Sequence, residues 1–444
     1  MLHVKDILHI CNGKLICGDE NTECINFTND TRTLNKGDVF VGIKGDTFNG
    51  NSFYKEAIKK GAKVCILDDK NVIEKNSKAT IILVDDSIKA IQELAKYKRS
   101  LYNIPVIAVT GSVGKTSVKD MVNAVVSAHY KTLCTKGNMN NHIGLPLTIL
   151  SLKDHEALIV EMGMNHLGEI HTLSNIAKPT LALITNIGTA HIGNLGSREN
   201  ILKAKMEITD GLNGSLIINN DNDMLRTVKY DKLITIGIDH DSDYMAHDIE
   251  DNVFSSNFYI DDDYISLPVG SNAFIYNALF AYAVGKKLNI PNDKIINALE
   301  SFKLTPHRLE LIEHKDYQII DDTYNASLDS VNNALEMLGK VNGRKVFIFG
   351  DILELDNYAK DIHEEVGKLV INNKIDVLIT VGENAYYTYS VSYDHGIESY
   401  YYKNNQEMLK DIDKIIDIGD TILVKGSHGM NLIEIVEHLK NFKN

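Results

Sequence analysis

Short apolar runs alternate along this chain with amphipathic stretches of helix length. The runs Val39 to Ile43, Val64 to Leu67, Thr80 to Val84, Leu158-Ile159-Val160, Leu181 to Ile184, Leu216-Ile217-Ile218, Gln318-Ile319-Ile320, Val346 to Phe349, Val377-Leu378-Ile379 and Ile422-Leu423-Val424 predict strands. Their near-continuous apolar character is that of strands buried on both faces, as in a parallel sheet covered by helices. Between them, Ile88, Ile91, Leu94 and Ala95 fall on one helical face. Val118, Met121, Val122, Val125 and Val126, at i, i+3, i+4, i+7 and i+8, fall on another.

The pattern divides into three blocks, a plausible number of domains for 444 residues. Residues 1–102 predict a small mixed α/β module. Residues 103–306 predict a parallel sheet with helices on both faces, and residues 307–444 restart as a second, doubly wound sheet. No low-complexity linker or fixed-period repeat separates them, so the hinges are expected to be short, near Asn103-Ile104-Pro105 and Thr305-Pro306.

Charge narrows the function. Lys plus Arg number 46 against 60 Asp plus Glu, a net −14, which disfavours a nucleic-acid surface but leaves room for a local basic pocket. No apolar stretch reaches the ~18 residues of a membrane span, and the segment Met1 to Ile10 is too short in apolar length for a signal peptide. A cytoplasmic location is expected. The cysteines Cys11, Cys17, Cys24, Cys65 and Cys134 form no Cys-x-x-Cys pair and read as reduced packing residues.

The chemistry concentrates after the first strand of the middle block. Val106 to Thr110 runs into Gly111-Ser112-Val113-Gly114-Lys115-Thr116-Ser117 and then into the helix of Val118 to Val126. Strand, glycine turn and helix in this order cradle a nucleoside triphosphate. The glycines let backbone N–H groups approach phosphate, Lys115 supplies a point charge, and the Thr116 hydroxyl suits Mg²⁺. The loop is shortened, because Val109 stands where the full Walker pattern has its first glycine. Glu161 ends a neighbouring strand and His191 lies in the loop leaving the next. Ligands of open α/β sheets bind at those strand ends, so the pair suits a second Mg²⁺. Equally, Glu161 would serve as a turn cap and His191 as an ordinary loop histidine.

The motifs together resemble the ATP-dependent Mur ligases. Thr110 to Ser117, Thr135-Lys-Gly-Asn-Met-Asn-Asn-His-Ile-Gly-Leu-Pro-Leu-Thr148, Glu161-Met-Gly-Met and Thr185-Asn-Ile-Gly-Thr-Ala-His191 carry the resemblance. Asp321-Asp-Thr-Tyr-Asn-Ala326, Phe349-Gly-Asp-Ile-Leu-Glu-Leu355 with His363, and Val424-Lys-Gly-Ser427 look like the branch that joins D-alanyl-D-alanine to UDP-N-acetylmuramoyl-tripeptide in cell-wall synthesis. Asp30-Thr-Arg32, Gly37-Asp-Val-Phe40 and Gly42-Ile-Lys-Gly45 resemble that family's uridine-nucleotide module.

The resemblance implies three domains: a UDP-substrate module, a central ATPase domain, and a Rossmann-like domain that binds the dipeptide and closes on ATP. It implies ATP, two Mg²⁺ ions and an acyl-phosphate intermediate. It further implies a carbamate on Lys205, within Lys203-Ala-Lys-Met-Glu207, where the residues alone would read as a solvated helix lysine. Lys115, Lys205 and His191 are the expected catalytic residues. Thr116, Glu161 and His191 are the expected metal ligands. Residues 111–117 with Asn277, Arg308, Asp322 and Asn325 are expected to hold nucleotide. Asp30, Thr31, Arg32, Lys44, Gly45, Asn138, Asn140, Asn141, Tyr324 and Lys425 are expected to hold the substrates. A monomer is expected.

Four departures from the family pattern bear on the amine: Asn49-Gly-Asn51, Ala273-Phe274, Ser327-Leu328, and His428 in place of an arginine whose fork suits a dipeptide carboxylate. A related ligase with another amine or acceptor, and a nucleotide-binding NTPase without ligase activity, remain the alternatives.

Overall fold

The computed structural model describes residues 2–45, 47–74 and 78–441. The chain divides into two compact units, one comprising Met1–Thr110, Tyr130–Ala182 and Met206–Leu216, the other Gly111–His129, Leu183–Lys205 and Ile217–Asn444. Among the described residues no helix is long and apolar enough to cross a membrane.

The first unit holds a five-stranded sheet in the order Lys14–Cys17, Thr80–Leu83, Val64–Leu67, Val39–Val41, Phe27–Thr28. Only the pairing of Lys14–Cys17 with Thr80–Leu83 is antiparallel. Phe40, Tyr54, Ala57, Cys65, Leu67 and Ile81 form its core. Burial pushes the Cys65 and Cys24 thiols up to about 12, consistent with inert packing residues, and among the described residues no disulfide joins the five cysteines. In the helix Ser87–Ser100 the predicted Ile91, Leu94 and Ala95 are buried together with Ala90. Ile88 is a correction: it lies in the first turn and lines an open cavity instead of the core. The unit also contains a parallel trio in which Val106–Thr110 pairs with Ala157–Glu161 and the latter with Thr132–Cys134. This register sets Glu161 opposite Val109, at the carboxyl end of the strand that enters the phosphate loop.

In the second unit the helix Lys115–Ser127 buries the predicted Val118, Met121, Val122, Val125 and Val126, and packs on the helix Asn272–Lys287. Leu233–Gly237 is parallel to Tyr244–Asp251, but Ser256–Ile260 and Asp263–Leu267 follow as an antiparallel meander. The parallel sheet expected of the middle block thus carries an antiparallel extension at this edge. The reason is connection length: the turn at Asp261, with φ +52°, joins two strands directly and leaves no chain for a helical crossover.

The C-terminal sheet runs in the order Glu310–Glu313, Gln318–Asp322, Thr421–Lys425, Lys345–Gly350, Val377–Val381, Glu398–Tyr402. All its pairs are parallel except the first. Its core gathers Ile319, Ile348, Ile379, Val424 and Ile435, all fully buried. Asp322 and Lys425 are register partners at the carboxyl edge, where the crevice of an open α/β sheet receives its ligands.

Candidate active site

The phosphate loop is shaped by two glycines that no other residue replaces without strain. Gly111 has φ +152°, and a Cβ there would fall 1.8 Å from Thr185 Oγ1. Gly114, at φ +80°, is the left-handed N-cap of the helix Lys115–Ser127. The loop leaving the strand Leu181–Ile184 grips its other side. Thr185 Oγ1 donates to the Val113 carbonyl at 2.5 Å, Ser112 N to the Asn186 carbonyl at 3.1 Å, and Val113 N to Asn186 Oδ1 at 2.8 Å. Gly188 N donates to Ser112 Oγ at 3.0 Å. The Ser112 and Val113 amides are thus spent on Asn186. The first turn of the helix, including Thr116 and Ser117, presents the amides that have no intrahelical carbonyl to bond. Lys115 Nζ folds across the loop onto the carbonyls of Gly111 at 2.9 Å and Ser112 at 3.3 Å. Asn277, buried on the helix Asn272–Lys287, brings Oδ1 to 3.7 Å from where a Gly114 Cβ would lie.

Glu161 is only 2% exposed; its carboxylate accepts from Asn140 Nδ2 at 2.7 Å, and its amide donates to Thr135 Oγ1 at 3.1 Å. The predicted asparagine cluster divides its labour. Asn140 orients Glu161, Asn141 Oδ1 accepts from Ile143 N and Gly144 N at the start of the helix Gly144–Leu150, and Asn138 is exposed. The anchored Glu161 carboxylate and, in the other unit, the buried Thr116 hydroxyl are each hard oxygen donors, the kind Mg²⁺ selects.

His191 takes a left-handed φ of +65°, and its Nδ1 lies 3.3 Å from Glu354 Oε2. Lys205, in the helix Arg198–Met206, is fully buried, and among the described residues its Nζ has no hydrogen-bond partner. Burial first, and the neighbouring Lys115 cation second, push its ammonium well below the ordinary lysine range. The reading of Lys205 as a solvated surface lysine is excluded.

At the edge of the C-terminal sheet, the Arg308 guanidinium sits 3.9 Å over the Tyr324 ring, whose centroid is 6.0 Å from that of His428. Arg308 Nε is buried without a hydrogen-bond partner. Left-handed backbone at His307 (φ +64°) and Leu309 (φ +52°) flanks Arg308. His307 Nδ1 lies 2.7 Å from the buried Asp321 Oδ2. Asp322 and Lys425, expected to face nucleotide and dipeptide respectively, pair with each other, and Lys425 Nζ also donates to the Asn325 carbonyl at 3.0 Å. Both charges are thereby engaged inside the domain, while Asn325 itself is exposed.

Comparison with known proteins places this geometry. The Mur ligase middle domain matches residues 109–285, the Mur ligase glutamate ligase domain residues 307–428, and the Mur ligase catalytic domain residues 26–99. The UDP-N-acetylmuramoyl-tripeptide–D-alanyl-D-alanine ligase of Bacillus subtilis is 36% identical over 447 residues, covering 98% of each chain. The chain belongs to the Mur ligase family. Among solved structures, MurF from Acinetobacter baumannii matches this Mur ligase with a TM-score of 0.90 at 28% identity over 99% of both chains. MurF from Thermotoga maritima in complex with ADP matches with a TM-score of 0.82 at 29% identity, over 94% of this chain and 97% of that one.

In the N-terminal module of this Mur ligase, Arg32 forks onto Asp30 at 2.8 and 2.9 Å and thereby lowers the Asp30 carboxyl below its ordinary range. Thr31 Oγ1 donates to Glu56 at 2.9 Å. Gly45 N donates to the Phe48 carbonyl, and Lys44 lines an open cavity of about 470 Å³ with Asp68, Asp69, Asn71, Asp85, Asp86 and Ile88. The departure at Asn49 and Asn51 has a local explanation: Asn49 Nδ2 bonds Asp69 at 2.8 Å and Asn51 Nδ2 bonds Asp68 at 2.7 Å. Asn186 and Glu354 were legible only as motif letters, because nothing in their spacing announces that they contact Val113 and His191.

Proposed function

We propose that this chain is an ATP-dependent ligase that joins D-alanyl-D-alanine to UDP-N-acetylmuramoyl-tripeptide, releasing ADP and phosphate in peptidoglycan precursor synthesis. The observation that carries this reading is full-length relatedness at 36% identity to a ligase of that name, around an intact phosphate loop. In the reaction, a peptide carboxylate oxygen attacks the γ-phosphorus and the bond to ADP breaks. The dipeptide nitrogen then attacks the acyl carbon, the C–N bond forms, phosphate leaves and the amine loses a proton. Two anions must meet in the first step, so the residues must manage charge before anything else.

Lys115 serves the β- and γ-phosphates from the helix N-terminus, and the loop of residues 111–117 holds them, the first-turn amides of the helix doing so through the backbone. We assign nucleotide contacts to Asn277, Arg308, Asp322 and Asn325, uridine-nucleotide contacts to Asp30, Thr31, Arg32, Lys44 and Gly45, and peptide or dipeptide contacts to Asn138, Asn140, Asn141, Tyr324 and Lys425. Thr116, Glu161 and His191 are the residues that would hold two Mg²⁺ ions, which supply positive charge to the phosphates and the attacking carboxylate when bound. A carbamate on Lys205 fits the fully buried Nζ, which has no hydrogen-bond partner among the described residues: the neutral amine adds to the carbon of CO2, a proton leaves, and an anion takes the place of the neutral amine near Lys115. We divide the enzyme into domains 1–102, 103–306 and 307–444, a division supported by the three family matches. We take it to be a monomer, and a cytoplasmic one because its acceptor is nucleotide-linked.

His428, in place of arginine, favours a second reading in which the amine differs. ADP release measured with UDP-N-acetylmuramoyl-tripeptide and a panel of D-dipeptides decides. Release that needs the tripeptide and D-alanyl-D-alanine supports the first reading. Release with another amine supports the second, and release with neither leaves an NTPase.

A further inference from the structure

Asp329 is the second residue of the helix Leu328–Gly339, a position where a carboxylate ordinarily serves its own helix N-terminus. Here that duty is already filled. Ser327 Oγ accepts from Ser330 N, and Ser330 Oγ accepts from Ser327 N at 2.9 Å, a reciprocal cap made by two serines. The Asp329 carboxylate turns instead to a segment 140 residues away: Oδ2 accepts from Thr189 N at 3.1 Å and from Thr189 Oγ1 at 3.3 Å. Its approach is so close that a Cβ at Gly188 would fall 2.3 Å from the same oxygen.

Gly188 and Thr189 belong to the loop that grips the phosphate loop. Gly188 N holds Ser112 Oγ, and Asn186 holds the amides of Ser112 and Val113. Arg198 steadies the same stretch from elsewhere, donating to the Ile187 carbonyl at 2.8 Å. A path of hydrogen bonds joined by one peptide link therefore runs from the helix Leu328–Gly339, through Thr189 and Gly188, to the Ser112 side chain of the phosphate loop.

We infer that Asp329 is a positioning residue, one that sets the phosphate loop for phosphoryl transfer when the C-terminal helix is docked. Gly188 is the residue that makes room for it. The inference rests on the ligase reading for its kinetic consequence, but the hydrogen-bond path stands without it.

The test uses Asp329→Ala, Asp329→Asn, Gly188→Ala and the double variant Asp329→Ala/Gly188→Ala in the full chain. Losing a charge-assisted bond predicts a fall of about tenfold in kcat for Asp329→Ala, with KM for the UDP-linked tripeptide within about twofold of the parent. Asp329→Asn, which keeps an acceptor oxygen for Thr189 N, recovers most of the loss. Gly188→Ala is damaging alone, yet adds nothing in the Asp329→Ala background, because the clashing oxygen is gone. Amide hydrogen exchange without any substrate gives the readout that needs no activity: the amides of Ser112, Val113, Gly188 and Thr189 exchange faster in Asp329→Ala at unchanged protection of the C-terminal sheet. Unchanged exchange at those four amides, or strictly additive effects of the two substitutions, overturns the inference. If the parent protein fails to ligate, the ligase reading falls and the exchange data still decide the role of Asp329. Should Asp329→Ala not fold, the same exchange comparison is made on Thr189→Val, which removes the hydroxyl bond, and on Asp329→Asn, which takes the charge from both bonds.

Discussion

Lys205 lies wholly buried near the Lys115 cation, which together with that burial disfavours its ammonium form, and among the described residues its Nζ has no hydrogen-bond partner. An arrangement of this kind is costly for an ammonium and favourable for a neutral amine that has reacted to become an anion. Bicarbonate is therefore expected to raise the melting temperature of the parent protein, since CO2 captured only by the native state stabilises it by mass action, and to leave Lys205→Met unmoved. Isotope-labelled bicarbonate should give a carbamate carbon resonance that disappears on acidification, as the released amine takes up protons. Activity lost in Lys205→Ala should return in part with short carboxylic acids. Equal responses of parent and variant to bicarbonate would remove the carbamate.

Lys115 Nζ donates to the carbonyls of Gly111 and Ser112 within its own loop, so its removal should cost little in folding. Lys115→Ala is expected to melt close to the parent while ADP formation drops roughly 10²–10³-fold, the scale for one electrostatic stabiliser of a developing charge. A folded variant that turns over at the parental rate would sink the assignment.

Lys425 is 1% exposed and paired with Asp322, which is 13% exposed. Removing one member of a buried pair leaves the other charge uncompensated, so Lys425→Ala should destabilise by about 3–5 kcal/mol in denaturant titrations. A variant of undiminished stability with a raised KM for the dipeptide would show instead that the lysine is spent on substrate.

His363 is buried, with Ile352 N donating to Nε2 at 3.1 Å and Nδ1 lying 2.7 Å from the Ala359 carbonyl. That bonding needs the neutral ring, and burial lowers its pKa from the ordinary 6.5. A depressed folded-state pKa for a cationic acid means that the unfolded chain binds the proton first. Its contribution is thus full above the ordinary value and is lost as pH falls below it. The melting temperature of His363→Gln should accordingly depend less on pH than the parent's on the acid side of 6.5. Parallel curves would contradict the assignment.

Much of the architecture was legible from periodicity. The face Val118, Met121, Val122, Val125 and Val126 is buried as its spacing requires, and the strand Val377–Val381 is buried throughout, as an uninterrupted apolar run implies. The antiparallel strands Ser256–Ile260 and Asp263–Leu267 were not legible. Asn257, Tyr259, Ser266 and Tyr264 interrupt their apolar positions, and alternation that short reads as loop.

Among the site residues, the glycine and lysine chemistry of residues 111–117 could be read locally, because strand, turn, helix and charge lie within a dozen positions. The state of each side chain could not. That Lys205 is buried beside Lys115, that Asp322 neutralises Lys425, that Asn140 holds Glu161 and that Asp329 reaches Thr189 are facts of juxtaposition between segments up to 140 residues apart. Residue type and spacing specify what a group is able to do and which element carries it. Desolvation, ion pairing and hydrogen bonding arise from neighbours that only the packed chain supplies, and those decide its charge and its partner.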